Sequence, residues 1–264
     1  KTVKVETGMS DTSNIEIVSG LKEGDVVKEG DTWVLDETPN VGIFSKATNI
    51  TTLKTGGDLL GIGDYAFYKC TKLTSITIPS KVKTIGKYAF YGCYGLTDII
   101  ISEGVTGIGA YAFEYCSGLT SITIPNSVTW IGHDAFSGCT SLTKAPKLPE
   151  NLKIVSYAFE GCTGLKKVNI TDTAKWCGIK FAVTHLDWQY YCASNPLYYA
   201  DLYLNGKKVE NLVIPDGVTT IGNCAFYDCD SLTDVTIPDS VITIGDGAFY
   251  DCSDLTSVII PDGV

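Results

Sequence analysis

Apolar and polar residues alternate along the chain in short segments that return at a fixed interval. Ile76 and Ile78 alternate with Ser75 and Thr77, which is the pattern of a strand that buries one face. Pro79 ends that strand because proline has no backbone N–H for a ladder hydrogen bond. The same pattern returns every 23 residues. The sequence therefore predicts a repeat protein in which each unit forms one coil.

Seven phenylalanines occupy the equivalent position in successive units. They are Phe67, Phe90, Phe113, Phe136, Phe159, Phe226 and Phe249. Each follows an alanine, and a cysteine lies three residues after each. We expect the rings to stack in one buried column, with the alanines where two coils pack so closely that only a methyl group fits. The cysteines should form a third column of buried thiols that behave as small apolar groups.

A glycine follows an apolar residue where most units bend, as at Gly86, Gly109 and Gly132. Two explanations fit this position: a positive φ angle, or a close approach of backbone from the neighbouring coil. Val155 takes the same place in the fifth copy, so the requirement for glycine is not absolute.

The unit LTSITIPxxVxxIGxxAFxxCxx resembles the BspA-like leucine-rich repeats of bacterial surface proteins, and the resemblance covers residues 50–264. It implies an α/β repeat fold, a right-handed leucine-rich-repeat solenoid. A parallel β-sheet would form its concave face, and short helical or 3₁₀ segments would form its convex side. The resemblance carries no catalytic residues, and it implies a bacterial protein that is displayed at the cell surface or secreted.

The repeat is interrupted between Phe159 and Phe226, where residues 172–204 contain variant turns and an aromatic loop. The loop places Trp188, Tyr190 and Tyr191 within four residues. These aromatic side chains either supply the core of an irregular turn or protrude to contact a ligand.

A second local signal follows the aromatic loop. Asn205-Gly206, between Leu204 and Val209, predicts a tight hairpin turn, because both residues tolerate positive φ.

The N-terminal part of the chain does not follow the repeat. Residues 1–31 are predicted to form a small β-rich segment or cap, and residues 32–49 a linker or a first degenerate turn. The segment from Ser19 to Asp25 resembles the C-terminal, membrane-proximal segment of the periplasmic adaptor (membrane-fusion) subunits of efflux pumps. The alternative is a small β element that covers the open end of the first coil.

The ten cysteines give little indication of metal or redox chemistry. In a stacked repeat, equivalent side chains point the same way about 4.8 Å apart, whereas a disulfide needs Cβ atoms that are nearer and face each other. Cys177 and Cys192 flank the aromatic loop, and the sequence leaves open whether they pair. The spacing of Cys177, His185 and Cys192 does not match a structural zinc site, so we expect no metal and no cofactor.

Charge and hydropathy narrow the possible partners. The formal net charge is −10 and the sequence pI is about 4.6, which disfavours nucleic acid and anionic membrane surfaces. No run of 18 apolar residues is present, so we expect no direct membrane insertion. The two histidines have no nucleophile at triad-like spacing, and we therefore expect no enzyme activity.

The sequence thus predicts a non-enzymatic binding or adhesion module, at the cell surface or secreted, that recognises a protein or glycan ligand. One candidate surface is the aromatic loop with Trp188, Tyr190 and Tyr191. The other is the sheet face, about 600 Å² in area. Outward positions selected on that face are Thr77, Ile100, Thr123, Asn169 and Thr236. The alternatives are a structural spacer that displays another domain, or an accessory segment of an efflux adaptor assembly.

Overall fold

The chain folds as a parallel β-solenoid in which each 23-residue repeat forms one coil. The computed structural model describes residues 27–29, 32–35, 44–46, 50–55, 59–149, 152, 157–179, 181–182, 184–186, 189–192 and 195–264. Val155 and Trp188 lie outside these residues, as does most of the segment 1–31.

The main sheet is mostly parallel, and it follows the predicted alternation of buried and exposed residues. Its first strands, in order of pairing, are β1 (Val27–Glu29), β2 (Thr32–Leu35), β3 (Thr52–Thr55), β4 (Ser75–Ile78) and β6 (Asp98–Ile101). β1 and β2 form an antiparallel hairpin, and β2 pairs in parallel with β3. Between β4 and β6, Ile76 lies opposite Ile99 and Thr77 opposite Ile100.

Two three-stranded sheets follow later in the chain. One contains β9 (Lys167–Ile170), β12 (Asp201–Leu204) and β13 (Lys207–Lys208). The other contains β14 (Asn211–Val213), β16 (Asp234–Thr236) and β18 (Ser257–Ile259). β12 and β13 are antiparallel, and the turn between them has φ of 50° at Asn205 and 81° at Gly206. The predicted hairpin turn is therefore confirmed.

A second, shorter parallel ladder runs beside the main sheet where each unit carries its Ile-Gly pair. It contains β5 (Thr84–Ile85), β7 (Gly107–Ile108) and β8 (Trp130–Ile131), and later β15 (Thr220–Ile221) and β17 (Thr243–Ile244). The glycines of this region are needed for close approach rather than for positive φ. A Cβ on Gly109 would lie 2.6 Å from the carbonyl carbon of Gly86, whereas φ is not positive at either residue.

The interrupted region holds the remaining elements. They are α1 (Thr173–Cys177), an antiparallel hairpin of β10 (Thr184–Leu186) and β11 (Gln189–Tyr191), and a 3₁₀ turn (Pro196–Tyr199). Asp172 caps α1 by accepting a hydrogen bond from the Lys175 N–H at 3.1 Å. Asn195 caps the 3₁₀ turn in the same way, by accepting from the Leu197 N–H at 2.9 Å.

Helix is scarcer on the convex side than the resemblance implied. In the described regular repeats this region is a series of turns, and helical segments occur only at α1 and the 3₁₀ turn. Two residues of each unit have positive φ, one before the alanine and one before the cysteine. In the first described unit they are Tyr65 at 59° and Lys69 at 56°. Left-handed residues at this spacing cannot continue a helix.

These turns form a third backbone ladder between coils. The N–H groups of Tyr65, Phe67 and Lys69 donate to carbonyls of the next coil at 2.9, 2.7 and 2.7 Å. In the sheets the bonds run in both directions: Thr97 N–H donates to the Thr74 carbonyl of the preceding coil, and Ile214 N–H donates to the Thr236 carbonyl of the next coil. Backbone hydrogen bonds therefore join a regular coil to its neighbours on the sheet side and on the turn side, without helices.

The interior is filled by columns of identical side chains. Phe67 to Phe159 are fully buried, and consecutive rings stack with centroids 4.9 to 5.6 Å apart. Phe44, 23 residues before Phe67, extends the stack with a separation of 5.4 Å. The interrupted region divides the predicted single column, because Phe226 stacks on Phe249 in a second group. Phe249 lies in the last complete turn and is only half-buried.

Candidate binding surfaces

The sheet positions selected from the sequence all face solvent. Thr77, Ile100, Thr123, Asn169 and Thr236 are exposed, while their strand neighbours are buried. Thr77 pairs with Ile100, and Ile100 with Thr123, so these three side chains form a continuous column across neighbouring coils. Side chains in such a column lie about 4.8 Å apart.

The face also exposes more apolar surface than small polar side chains would. Ile100, Val213 and Ile259 are 54%, 63% and 77% exposed. Tyr203 belongs to the same column, since β12 places it beside Asn169, and the Lys167 ammonium lies 4.8 Å from its ring centroid. The sequence did not reveal this position, because the interrupted region shifts β12 out of the 23-residue spacing.

The sheet is broken at one coil. Residues 121–124 repeat the sequence of β4, yet only Thr123 forms a bridge to the preceding coil. The described part of the next coil contributes a single bridge, from Lys144 to Lys167. Pro146 and Pro149 lie in that coil and have no N–H to donate, so regular pairing stops there.

The aromatic loop is a hairpin, β10–β11, and the structure shows the backbone of Tyr190 and Tyr191 within β11. Trp188 lies outside the described residues, and so do the side chains of the two tyrosines. Other aromatic residues of the region are core: Trp176 and Phe181 are buried, with ring centroids 5.4 Å apart.

A disulfide attaches this hairpin to the solenoid. Cys192, directly after β11, is bonded to Cys224, with 6.1 Å between the Cα atoms. Cys177 is a free thiol, so the pairing of Cys177 with Cys192 that the sequence left open does not form. Cys224 occupies the repeat position that is tyrosine at 65, 88, 111 and 157. That column lies at the surface of the turns, which places Cys224 within reach of the inserted hairpin.

Buried hydrogen bonds hold the variant turn against the next coil. The Asn195 side chain is fully buried and donates to the carbonyls of Cys224 and Ala225, at 2.6 and 3.1 Å. The Trp176 indole N–H donates to the Ala225 carbonyl at 2.7 Å. These bonds fix the base of the hairpin to the coil that also carries the disulfide.

The seven repeat cysteines are free thiols, as predicted, and most also donate a hydrogen bond. Cys116 Sγ donates to the Phe90 carbonyl at 3.2 Å, and Cys139 Sγ to the Phe113 carbonyl at 3.3 Å. Burial raises the pKa of both thiols well above the usual value of 9.0. Neutral, buried thiols are poor nucleophiles and poor metal ligands.

Tyrosine rings line the turns outside the core. Tyr65 stacks on Tyr88 and Tyr88 on Tyr111, with centroids 4.9 and 4.6 Å apart. A neighbouring row begins with Tyr68 stacked on Tyr91 at 5.0 Å. Because the faces of the inner rings are covered by one another, these rows present ring edges and hydroxyl groups to solvent.

Three carboxyl groups lie close together where the tyrosine rows end. Burial, with smaller contributions from the charges of Asp134 and Glu160, raises the pKa of Glu114 from 4.5 to about 7. Burial also raises the pKa values of Asp134 and Glu160. His133 Nδ1 contacts the Asp134 carboxylate at 2.5 Å. Within the described residues, no group of three or more His, Cys, Asp or Glu could hold a metal ion.

The fold has solved relatives among bacterial proteins. A leucine-rich repeat protein from Eubacterium ventriosum is 23% identical, with a TM-score of 0.50, and the alignment covers 88% of this chain and 62% of that one. One from Bacteroides ovatus is 25% identical, with a TM-score of 0.48 and coverage of 92% and 82%. A leucine-rich cell surface protein from Faecalibacterium prausnitzii is 27% identical, with a TM-score of 0.45 and coverage of 90% and 68%.

No curated protein is significantly similar in sequence. The resemblance of residues 1–31 to an efflux adaptor gains no support from these comparisons, and only residues 27–29 of that segment are described. No helix in the described residues is both long and apolar enough to cross a membrane.

The repeat unit itself matches a known family. Six copies of the BspA-type leucine-rich repeat region match residues 60–179 and 199–264, which is most of the chain. The matched segments contain the seven repeat phenylalanines with their alanines and cysteines, and the gap between the segments falls on the inserted hairpin. The chain therefore belongs to the BspA-type leucine-rich repeat family.

Proposed function

We propose that this chain is a non-enzymatic binding module, displayed at the cell surface or secreted, that recognises a protein or glycan ligand on its sheet face. The observation that carries this proposal is the column of exposed, in-register side chains Thr77, Ile100 and Thr123. An apolar side chain such as Ile100, 54% exposed on a rigid sheet, costs free energy in water and is better covered by a partner.

The Cys192–Cys224 disulfide supports the extracellular location. Disulfides persist in oxidising compartments and are rare in the cytosol, where thiols are kept reduced. The free thiols are compatible with that location, because burial protects them from oxidation and exchange.

The test is binding of the chain to panels of immobilised host-surface proteins and glycans. Ile100→Asp should weaken binding at least tenfold, because it replaces the exposed apolar side chain between Thr77 and Thr123 with a charge. Ile242→Asp is the matched control, since Ile242 is 62% exposed and lies outside the strands. Equal binding by the two variants and the wild type would exclude the sheet face as the binding surface.

The aromatic loop is the second proposed surface, carried by Trp188, Tyr190 and Tyr191. Its support is the disulfide at Cys192, which anchors the hairpin and lowers the entropy lost on binding. Trp188→Ala should weaken binding while lowering the melting temperature by no more than a few degrees. A variant that only loses stability would assign Trp188 to the core.

The continuous interior favours a structural spacer as the other candidate function. Coils stacked through phenylalanine columns and three backbone ladders form a stiff rod that can hold another domain away from a surface. A spacer requires no ligand, so wild-type chain that binds nothing in either panel would favour this function.

A further inference from the structure

The break in the sheet opens a cleft between two coils. Lys144 bridges to Lys167, and the Ala145 N–H donates to the Lys167 carbonyl at 3.1 Å. Asn169 is the next residue of β9 that directs its backbone toward the same coil. Pro146 of that coil lies opposite Asn169. In the described part of the chain, no backbone hydrogen bond joins Asn169 to this coil. The sheet therefore separates at this point and leaves polar backbone groups open.

The floor of the cleft is apolar. Leu148, Val168, Trp176 and Ile179 line it and are buried. Its enclosed space is small, about 30 Å³, so the cleft is a shallow depression in the surface. A ligand would therefore lie across the mouth of the cleft rather than inside it.

The rim of the cleft is basic, although the protein as a whole carries a net charge of −10. Lys147 and Lys175 line the cleft, and the same two coils expose Lys144, Lys166 and Lys167. Asp172 is the only carboxylate among the lining residues, and it pairs with Lys175 at 3.7 Å. The described residues place no carboxylate within ion-pair distance of Lys147. The local charge therefore selects an anionic ligand.

The polar side chains at the cleft suit hydroxyl groups. Asn169 Oδ1 accepts a hydrogen bond from the Gly206 N–H at 2.7 Å, which leaves its amide N–H groups as donors. The exposed Thr171 hydroxyl and the Asp172 carboxylate add a donor and further acceptors. Hydroxyl donors and acceptors over an apolar floor match a pyranose ring, which has a polar rim and an apolar C–H face.

We propose that this cleft binds one carboxylate-bearing sugar residue, a uronic or sialic acid, of an acidic glycan. The sugar carboxylate lies beside Lys147, its hydroxyls bond to Asn169 and Thr171, and its C–H face covers the apolar floor. This inference rests on the proposed binding function and specifies its ligand class.

The experiment is calorimetric titration of the full chain with glucuronic acid and N-acetylneuraminic acid. Glucose serves as the uncharged counterpart of glucuronic acid, and a glutamate-rich peptide tests whether charge alone is recognised. The expected result is saturable binding of at least one acidic sugar, with glucose and the peptide at least tenfold weaker.

The matched variants are Lys147→Glu and Lys83→Glu. Both lysines are exposed, and Lys83 lies away from the cleft, next to β5. Lys147→Glu should weaken binding of the acidic sugar at least tenfold, while Lys83→Glu should change it less than twofold. Circular dichroism melting of both variants checks that the fold is retained.

Three outcomes would overturn the inference. They are the absence of acidic-sugar binding up to about 10 mM, equal binding by Lys147→Glu and wild type, and peptide binding as tight as that of the sugar. The Ile100→Asp test separates this inference from the proposed function. If the chain binds a panel ligand through Ile100 while the cleft binds no acidic sugar, the binding function stands and only the ligand class fails.

Discussion

Cys116 shows how one repeated residue stabilises two coils. Its side chain is fully buried, its thiol donates to the Phe90 carbonyl of the preceding coil, and burial holds its pKa well above 9.0. The thiol therefore acts as a hydrogen-bond donor as well as a small apolar group. The same arrangement recurs along the column, so protection should be a property of the whole set.

The first prediction concerns thiol reactivity. Native protein at pH 8 should label at most one thiol quickly with a disulfide-exchange reagent. That thiol is Cys252, which is half-buried and whose pKa, raised to about 11, is lower than those of the inner column. Unfolding in guanidinium should reveal eight thiols, and reduction of the unfolded chain ten. Rapid labelling of five or more thiols in the native protein would contradict the buried column.

The second prediction compares two phenylalanines. Phe113 is fully buried between Phe90 and Phe136, so Phe113→Ala should lower the free energy of unfolding by about 3–5 kcal/mol. Phe249 is half-buried and stacks on one ring only, so Phe249→Ala should cost clearly less. Denaturant unfolding measures both, and equal losses would mean that the column is not the main support of the core.

At the residue scale, the sequence predicted the positions that keep the same residue type in every unit, such as the phenylalanines and cysteines. The repeat pattern did not assign Phe44 to the phenylalanine column, because Ile43 and Ala47 stand where the other units have alanine and cysteine. The positive φ at Tyr65 was also missed, since tyrosine rarely adopts it. The sequence gives a clearer indication of positive φ at the position before each cysteine. Other copies have glycine or aspartate there, as at Gly92 and Asp228.

Among the larger elements, the inserted hairpin β10–β11 depends most on one covalent bond. Within the described residues its strands pair only with each other, and Cys192–Cys224 joins its end to the next coil. An isolated two-stranded hairpin is marginally stable in water. The disulfide therefore holds the hairpin in place and restricts the unfolded chain.

The third prediction removes this bond. The double variant Cys192→Ala, Cys224→Ala should lower the free energy of unfolding by about 2–4 kcal/mol, because the bond closes a loop with a sequence separation of 32. Mild reduction of the wild type should give the same shift in the denaturation midpoint. An unchanged midpoint in both experiments would show that the disulfide contributes nothing to stability.

The sheet face could be predicted from the sequence more readily than the cleft. Alternation identified Thr77 and Ile100 as outward, because a strand has only two faces. The cleft depends on the backbone N–H that Pro146 lacks, which interrupts pairing with the neighbouring coil, and on the position of Trp176 beneath it. Those are contacts between coils, and a repeat pattern describes only what the coils share.

Across the whole molecule, one charged cluster joins three coils. Glu114, Asp134 and Glu160 come from consecutive repeats, and His133 contacts Asp134. Burial raises the pKa of Glu114 to about 7, so the folded chain binds this proton more tightly than the unfolded chain does. The resulting stabilisation is complete below about pH 4.5 and is lost as the pH rises through 7.

The fourth prediction follows from this cluster. The melting temperature should fall between pH 5 and pH 8, and Glu114→Gln should make that fall smaller, because glutamine cannot ionise. Glu210→Gln, at an exposed position, should leave the wild-type dependence unchanged. A steeper fall in Glu114→Gln would contradict the assignment of the effect to Glu114.

The three backbone ladders also set the length of the molecule in equal steps. Each coil advances the structure by one strand spacing, about 4.8 Å. Because the contacts of a coil are with its immediate neighbours, removing or duplicating a whole 23-residue unit leaves every ladder in register. The length of such a solenoid can therefore change in steps of one coil. A ligand site then lies nearer to or farther from a surface, while the residues of the site stay the same.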